Sequence, residues 1–249
     1  EMKRLLASTS LCLAVFSAPV AAFDITAMSD AERAAFQEEL RAYLMANPQV
    51  ILDSVNQMEA QQAEQQAQDD LSLVATNAEA LFEDGFSWIG GNPEGDLTVV
   101  EFLDYRCGYC RKAHEEVAQL LEADGNIRLI IKEFPILGEA SAISSRFAIA
   151  AKQIGGNEAY KAVHDAMMSF GGEPSAAALG RLAEGLGLNA KAIVARMDSQ
   201  EVEKEISETR ALAQRLQIRG TPTFVMGGQL VRGYVPLDAM QQIVKEERN

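Results

Sequence analysis

Cysteine is scarce in this chain, with three residues in 249, at positions 12, 107 and 110. Three thiols cannot build a disulfide framework, so the fold has to rest on buried apolar surface, which a chain of this length can supply. Positive charge is scarce too. Lys and Arg total 22 against 36 Asp and Glu, giving a net charge of −14, and such a chain repels nucleic acid and anionic lipid. Only two histidines are present, His114 and His164, far apart in sequence. A site of Cys107, Cys110 and His114 is one ligand short of a structural zinc centre, so no metal is expected. After the opening segment no run is long and apolar enough to span a bilayer, and no repeat at a solenoid period is found.

The opening residues hold the one exception. Lys3 and Arg4, the apolar run Leu5 to Phe16, and Val20-Ala21-Ala22 follow the order of a secretory signal, giving a signal peptide over 1–22. Leu11 before Cys12 is not the small residue a lipoprotein site prefers. Cleavage then leaves Cys107 and Cys110 as the remaining thiols of an exported, soluble protein in an oxidising compartment.

Those two form Cys107-Gly108-Tyr109-Cys110. The preceding run, Thr98 to Leu103, is β-branched and apolar and reads as a strand buried on both faces. The following run, Arg111 to Leu121, carries Val117, Leu120 and Leu121 at helical spacing. The first sulfur therefore sits over free helix N–H groups, where the positive end of the dipole favours a thiolate. Thiolates attack disulfides. A bridge closing so short a loop stabilises little, so the pair reads as chemistry.

From Phe23 to Phe82 the chain is helical and polar. Ser29-Asp30-Ala31-Glu32 has the spacing of a capping box, Phe36, Leu40, Tyr43 and Leu44 share a face, and Pro48 suits the start of a second helix. Ala60, Ala63, Ala67, Leu71, Val74, Ala78 and Leu81 continue as a narrow seam suited to another helix, which marks a candidate oligomerisation stalk. From Gly85 the order is strand, turn, strand, cysteine helix, and a strand from Ile127 to Phe134: a parallel crossover. Helical segments follow to Leu216. Thr221 to Gly233 then reads as a hairpin turned at Gly227-Gly228, and 237–247 as a closing helix.

This pattern resembles the DsbA-like periplasmic thiol:disulfide oxidoreductases, a thioredoxin-like α/β fold with an inserted all-helical subdomain. Four features carry the resemblance: the strand-CGYC-helix unit, Glu101 six residues before Cys107, the helical insertion, and Gly220-Thr221-Pro222-Thr223-Phe224 ahead of the hairpin. It implies a helical extension over 23–82, a thioredoxin-like domain over 83–137 and 198–249, and an insertion over 138–197. It also implies roles: Cys107 as exposed nucleophile, Cys110 as buried resolving thiol, Gly108 and Tyr109 as tuners of the thiolate. Pro222 would be cis and Thr221 would offer its backbone to an extended substrate. Glu101 would assist proton transfer at the buried cysteine, since burial raises a carboxyl pKa. Arg106 is a candidate tuner of the sulfur by charge, whereas Arg111 and Lys112 read as solvated.

The Gly-Tyr dipeptide and Thr221 before Pro222 are similar to DsbC-type isomerases, and the helical extension is similar to that of ScsC-like relatives, which gathers several catalytic domains. The reading leans to a disulfide isomerase, with a monomeric DsbA-like oxidase as the alternative and a non-enzymatic envelope or metal-binding protein as a third. The expected partners are cysteine-containing unfolded or misfolded exported proteins, a membrane redox partner, and a second copy through residues 23–82. No cofactor beyond a redox-active Cys107–Cys110 disulfide is expected.

Overall fold

The computed structural model describes residues 25–249, so the expected signal segment and Cys12 lie outside the described residues. The chain divides into two compact units, one ending at Glu59 and one running from Ala60 to Asn249.

In the first unit, α1 (Asp30–Ala46) begins at a complete capping box. The Ser29 hydroxyl accepts from the Glu32 backbone N–H, and the Glu32 carboxylate accepts from the Ser29 N–H at 2.9 Å. Asn47-Pro48 separates α1 from α2 (Gln49–Thr76), and the unit boundary falls within α2. No residue of α1 is buried. Phe36, Leu40, Tyr43, Ile51, Leu52, Val55 and Met58 all remain exposed.

The second unit is built on a five-stranded sheet. Its strands are β1 (Trp88–Gly91), β2 (Leu97–Leu103), β3 (Ile127–Glu133), β4 (Thr223–Met226) and β5 (Gln229–Arg232), in the order β1-β3-β2-β4-β5. The crossover helix α4 (Gly108–Asp124) makes β2 and β3 parallel, and every other pairing is antiparallel. Gly125, at φ 69°, supplies the left-handed residue that ends α4. Between β3 and β4 lies the helical insertion: α5 (Glu139–Met168), broken at Gly156, then α6 (Ala176–Gly185) and α7 (Ala190–Arg196). Helix α8 (Gln200–Arg215) returns the chain to the sheet and α9 (Leu237–Glu247) closes it. This is the α/β architecture with a helical insertion that the resemblance implied.

Strand alternation sorts the core into two layers. Val99 and Leu103 of β2, Leu129 and Ile131 of β3, and Phe224 and Met226 of β4 pack with α4, α5 and α9. Val100, Phe102, Ile130 and Val225 face the other way, onto Leu212 and Leu216. Val74 of α2 and Leu81 of α3 (Ala78–Phe82) belong to this second layer.

That layer corrects the expected 23–82 stalk. Its last third belongs to the second unit: Arg232 binds Asp70 with both guanidinium nitrogens at 2.5 and 2.8 Å, and Arg215 donates to Asn77 at 2.7 Å. Buried Lys132 donates to the Ala80 carbonyl and to Asp84. Of the seam, Val74 and Leu81 are covered by this chain's own sheet, while Ala60, Ala63, Ala67 and Leu71 stay exposed. Leu81 is fully buried, so Leu81→Ala should cost about 2–5 kcal/mol in urea unfolding. A chain starting at Ala60 should keep the unfolding midpoint of the second unit, while one starting after Phe82 should lose it.

Candidate active site: a dithiol at a helix start above buried carboxyls

Strand β2 runs into a turn fixed by Asp104. Its Oδ1 accepts from the Arg106 N–H at 2.8 Å, its Oδ2 from the N–H groups of Ile136 and Leu137 at 2.9 and 3.0 Å, and its carbonyl from Cys107 N–H at 3.0 Å. One buried carboxylate thus joins the cysteine turn to the loop after β3. Cys107 is the N-cap of α4 and its side chain makes no capping bond. The first N–H groups of the helix therefore stay available to a charged sulfur.

Cys107 Sγ donates to the Thr221 carbonyl at 3.2 Å, and the Thr221–Pro222 bond is cis. Cys110, one turn into α4, has no exposure, and burial pushes its thiol well above the ordinary value. Cys107 was expected to be open. It keeps 8 % exposure, because the Thr221 loop lies over it, so it is the more accessible thiol of a recessed pair. Gly108 opens α4 with nothing near the place a Cβ would occupy. Tyr109 is exposed, with its ring centroid 5.9 Å from that of Tyr234, and the Lys112 ammonium lies 4.1 Å over Tyr234.

The arginines are placed differently from expectation. Arg106 donates to the Gly172 carbonyl at 3.0 Å, so its guanidinium is engaged with the insertion. Arg111 is not solvated: it donates to the carbonyls of Tyr105 at 2.9 Å and Phe170 at 2.7 Å, clamping the motif to the end of α5. The guanidinium, with five N–H donors, can serve two carbonyls of an irregular loop at once.

Glu101 has the parity of Val99 and Leu103 and so faces the cysteine side of the sheet. It is 2 % exposed, and burial, then the charge of Glu133, raises its carboxyl to about 8. Its Oε1 has no partner. Glu133 ends β3 on the same face and accepts from Tyr105 Oη at 2.7 Å, Tyr160 Oη at 2.6 Å and Ser145 Oγ at 2.7 Å. Burial lifts it to about 7 against those bonds. Tyr105 also meets His164 Nδ1 at 3.1 Å. Sequence reasoning missed Glu133, Tyr105, Tyr160 and His164. An acid between Lys132 and Phe134, within the predicted strand from Ile127 to Phe134, was the available signal for Glu133, weaker than the lone acid that marked Glu101.

His164 meets a partner that spacing does not reveal. Far from His114 in sequence, it lies with its ring centroid 5.0 Å from that of His114. The fold joins the two histidines to Asp165 and leaves both cysteines outside that cluster. Beside Pro222 runs an open groove of about 580 Å³ lined by Gln66, Gln217, Arg219, Thr221 and Arg232.

Residues 98–245 match the DSBA-like thioredoxin domain, and residues 32–65 match the N-terminal domain of the copper resistance protein ScsC. A thioredoxin-like oxidoreductase from Silicibacter pomeroyi DSS-3 superposes with TM-score 0.63 at 43% identity, covering 68% of this chain and 96% of that one. The thiol-disulfide exchange protein alpha-DsbA2 from Wolbachia pipientis gives TM-score 0.67 at 27% identity, covering 72% and 96%. The Na(+)/H(+) antiporter NhaA 1 of Salinispora arenicola is 30% identical over 156 residues, 63% of this chain. This chain spans about a quarter of the length of the curated relatives it matches, 24% in each case. With its dithiol at the start of α4 and its Thr-Pro loop above the nucleophile, the chain belongs to the DSBA-like thioredoxin domain family.

Proposed function

We propose that this protein is a thiol:disulfide oxidoreductase of the DsbA/ScsC type working through Cys107 and Cys110. The observation that carries the reading is the position of Cys107 Sγ, at the N-cap of α4 and 3.2 Å from the carbonyl before Pro222. In the forward reaction the Cys107 thiolate attacks one sulfur of a client disulfide. The client S–S bond breaks, a mixed disulfide forms, and the departing client sulfur takes up a proton. Cys110 then loses its proton and attacks Cys107, giving a Cys107–Cys110 disulfide and a reduced client. If a second client thiol attacks first, the client is isomerised and the protein returns to the dithiol. Run in reverse, the first route oxidises a client.

A thiol raised by burial needs a base, and Glu101 supplies one. Its charge pushes Cys110 up beyond the effect of burial, and its own elevated value suits proton exchange near neutral pH. Thr221 and the adjoining groove would hold the client backbone, and Gly108 and Tyr109 would set how readily the thiolate forms. Arg106 acts through the Gly172 carbonyl, as a support for the turn. The proposed setting is the periplasm, with cysteine-containing exported proteins as clients and a membrane protein as redox partner. No helix among the described residues is long and apolar enough to cross a membrane.

Isomerisation is favoured over oxidation by the exposed apolar faces of residues 25–59, which pairing with further copies would cover. Several active sites on one client favour reshuffling. Deleting residues up to 59 should leave insulin reduction intact and cut the refolding of scrambled ribonuclease by about 10-fold or more. Equal refolding rates with and without the segment would return the assignment to a monomeric oxidase.

A further inference from the structure

We infer that His114, His164 and Asp165 form a divalent metal site, with Zn²⁺ as the fitting cation. One ligand atom from each lies within 4.8 Å of the others. A tetrahedral centre with bonds of about 2.0–2.1 Å holds its ligand atoms roughly 3.3 Å apart. The widest separation therefore closes by no more than about 1.5 Å, a rotamer-scale movement for the partly exposed His114 and Asp165.

Three independent features point to a ligand there. Asp165 Oδ1 is buried and forms no hydrogen bond, although His114 Nε2 stands 3.5 Å away. The same side chains line a cavity of about 80 Å³, which leaves room for a fourth, water ligand. Glu101, almost wholly buried, lines that cavity with its Oε1 also unpartnered.

The imidazole of His164 is already oriented. Tyr105 gives its single proton to Glu133 Oε1, so its oxygen accepts from His164 Nδ1–H at 3.1 Å, and Nε2 keeps the lone pair. A zinc-ligating histidine commonly gives its second N–H to a neighbouring oxygen, the place that Tyr105, itself bonded to Glu133, takes here. Stacking against Trp88 and Tyr160 fixes the ring plane. Lys161 pairs with Asp165 Oδ2 and is the one cation in this set that opposes a metal. Two imidazoles and one carboxylate with an open fourth position suit Zn²⁺ better than Mg²⁺ or Ca²⁺, which take oxygen ligands. An ion there would tie α4, which carries the dithiol, to α5 of the insertion.

The test is calorimetric titration of Zn²⁺ into chelator-stripped full-length protein with Cys107 and Cys110 oxidised to their disulfide, so that thiolates cannot compete. One saturable site per chain is expected, and a Tm raised by about 5–10 °C at a hundredfold excess over Kd. His114→Ala and Asp165→Asn should abolish saturation. Tyr105→Phe should weaken it about 10- to 100-fold, and Lys161→Met should tighten it. Co²⁺ added to the unmutated protein should give tetrahedral visible bands, a readout that holds even if a variant misfolds. Absence of saturable binding, or binding untouched by His114→Ala and Asp165→Asn, would overturn the site.

Discussion

Cys107→Ser is expected to abolish disulfide exchange outright, with the fold intact. Serine fits the N-cap of α4 and can bond the helix N–H groups that the cysteine leaves free. Its hydroxyl does not ionise near neutral pH and cannot form the mixed disulfide. Cys110→Ser should behave differently. It sits at full burial one turn further in, so the first attack proceeds and the second does not, and turnover stops with client attached. Insulin reduction and far-ultraviolet circular dichroism on both variants check the pair. Residual activity in Cys107→Ser would move the nucleophile elsewhere.

Glu101→Gln should give a slower and more stable protein. The loss of a base for Cys110 should slow the proton-coupled step on the order of 10- to 100-fold. Stability should move the other way. The carboxyl is raised from 4.5 to about 8 by burial and by Glu133. The folded state thus holds a proton that the unfolded chain has already released. Its stabilising contribution is present in full below about 4.5 and is lost as pH rises toward 8. Removing it should add on the order of 3 kcal/mol at pH 7 and little at pH 4.5. Urea unfolding at the two pH values, beside stopped-flow exchange kinetics, reads both effects. Unchanged kinetics with raised stability would leave Glu101 as a buried acid with no role in exchange.

Much of this was legible before any coordinates. The run Thr98 to Leu103, the capping box at Ser29, the Gly227-Gly228 hairpin and the closing helix at 237–247 are local signals, and each element starts or ends within a residue or two of its pattern. Glu101 was legible because a lone acid in an apolar strand is costly unless it is used. What sequence concealed depends on distant segments meeting. Glu133 is bonded by Tyr105 from the cysteine turn and by Tyr160 from the insertion, and no spacing rule links those three positions. His164 reaches His114 only because α5 packs beside α4. The seam through Val74 and Leu81 was visible as a seam. Its partner was not, because helical periodicity records that a face is buried and never says against what. Val74 and Leu81 share a core with Val100, Phe102 and Ile130, and Arg232 pairs with Asp70 across 162 residues. Arg106 reads in sequence as a tuner of the sulfur and Arg111 as surface charge, and the carbonyls that hold them, Gly172 and Phe170, carry no sequence signature at all.

The most direct measurement is the intact mass of reduced Cys110→Ser protein after incubation with a disulfide-bonded peptide, followed by peptide mapping. One peptide per chain should be found, attached at Cys107 and released by dithiothreitol, and nothing should attach when Cys107 is also replaced by serine. A chain that stays at its unmodified mass, or one labelled with Cys107 absent, would contradict nucleophilic exchange at the start of α4.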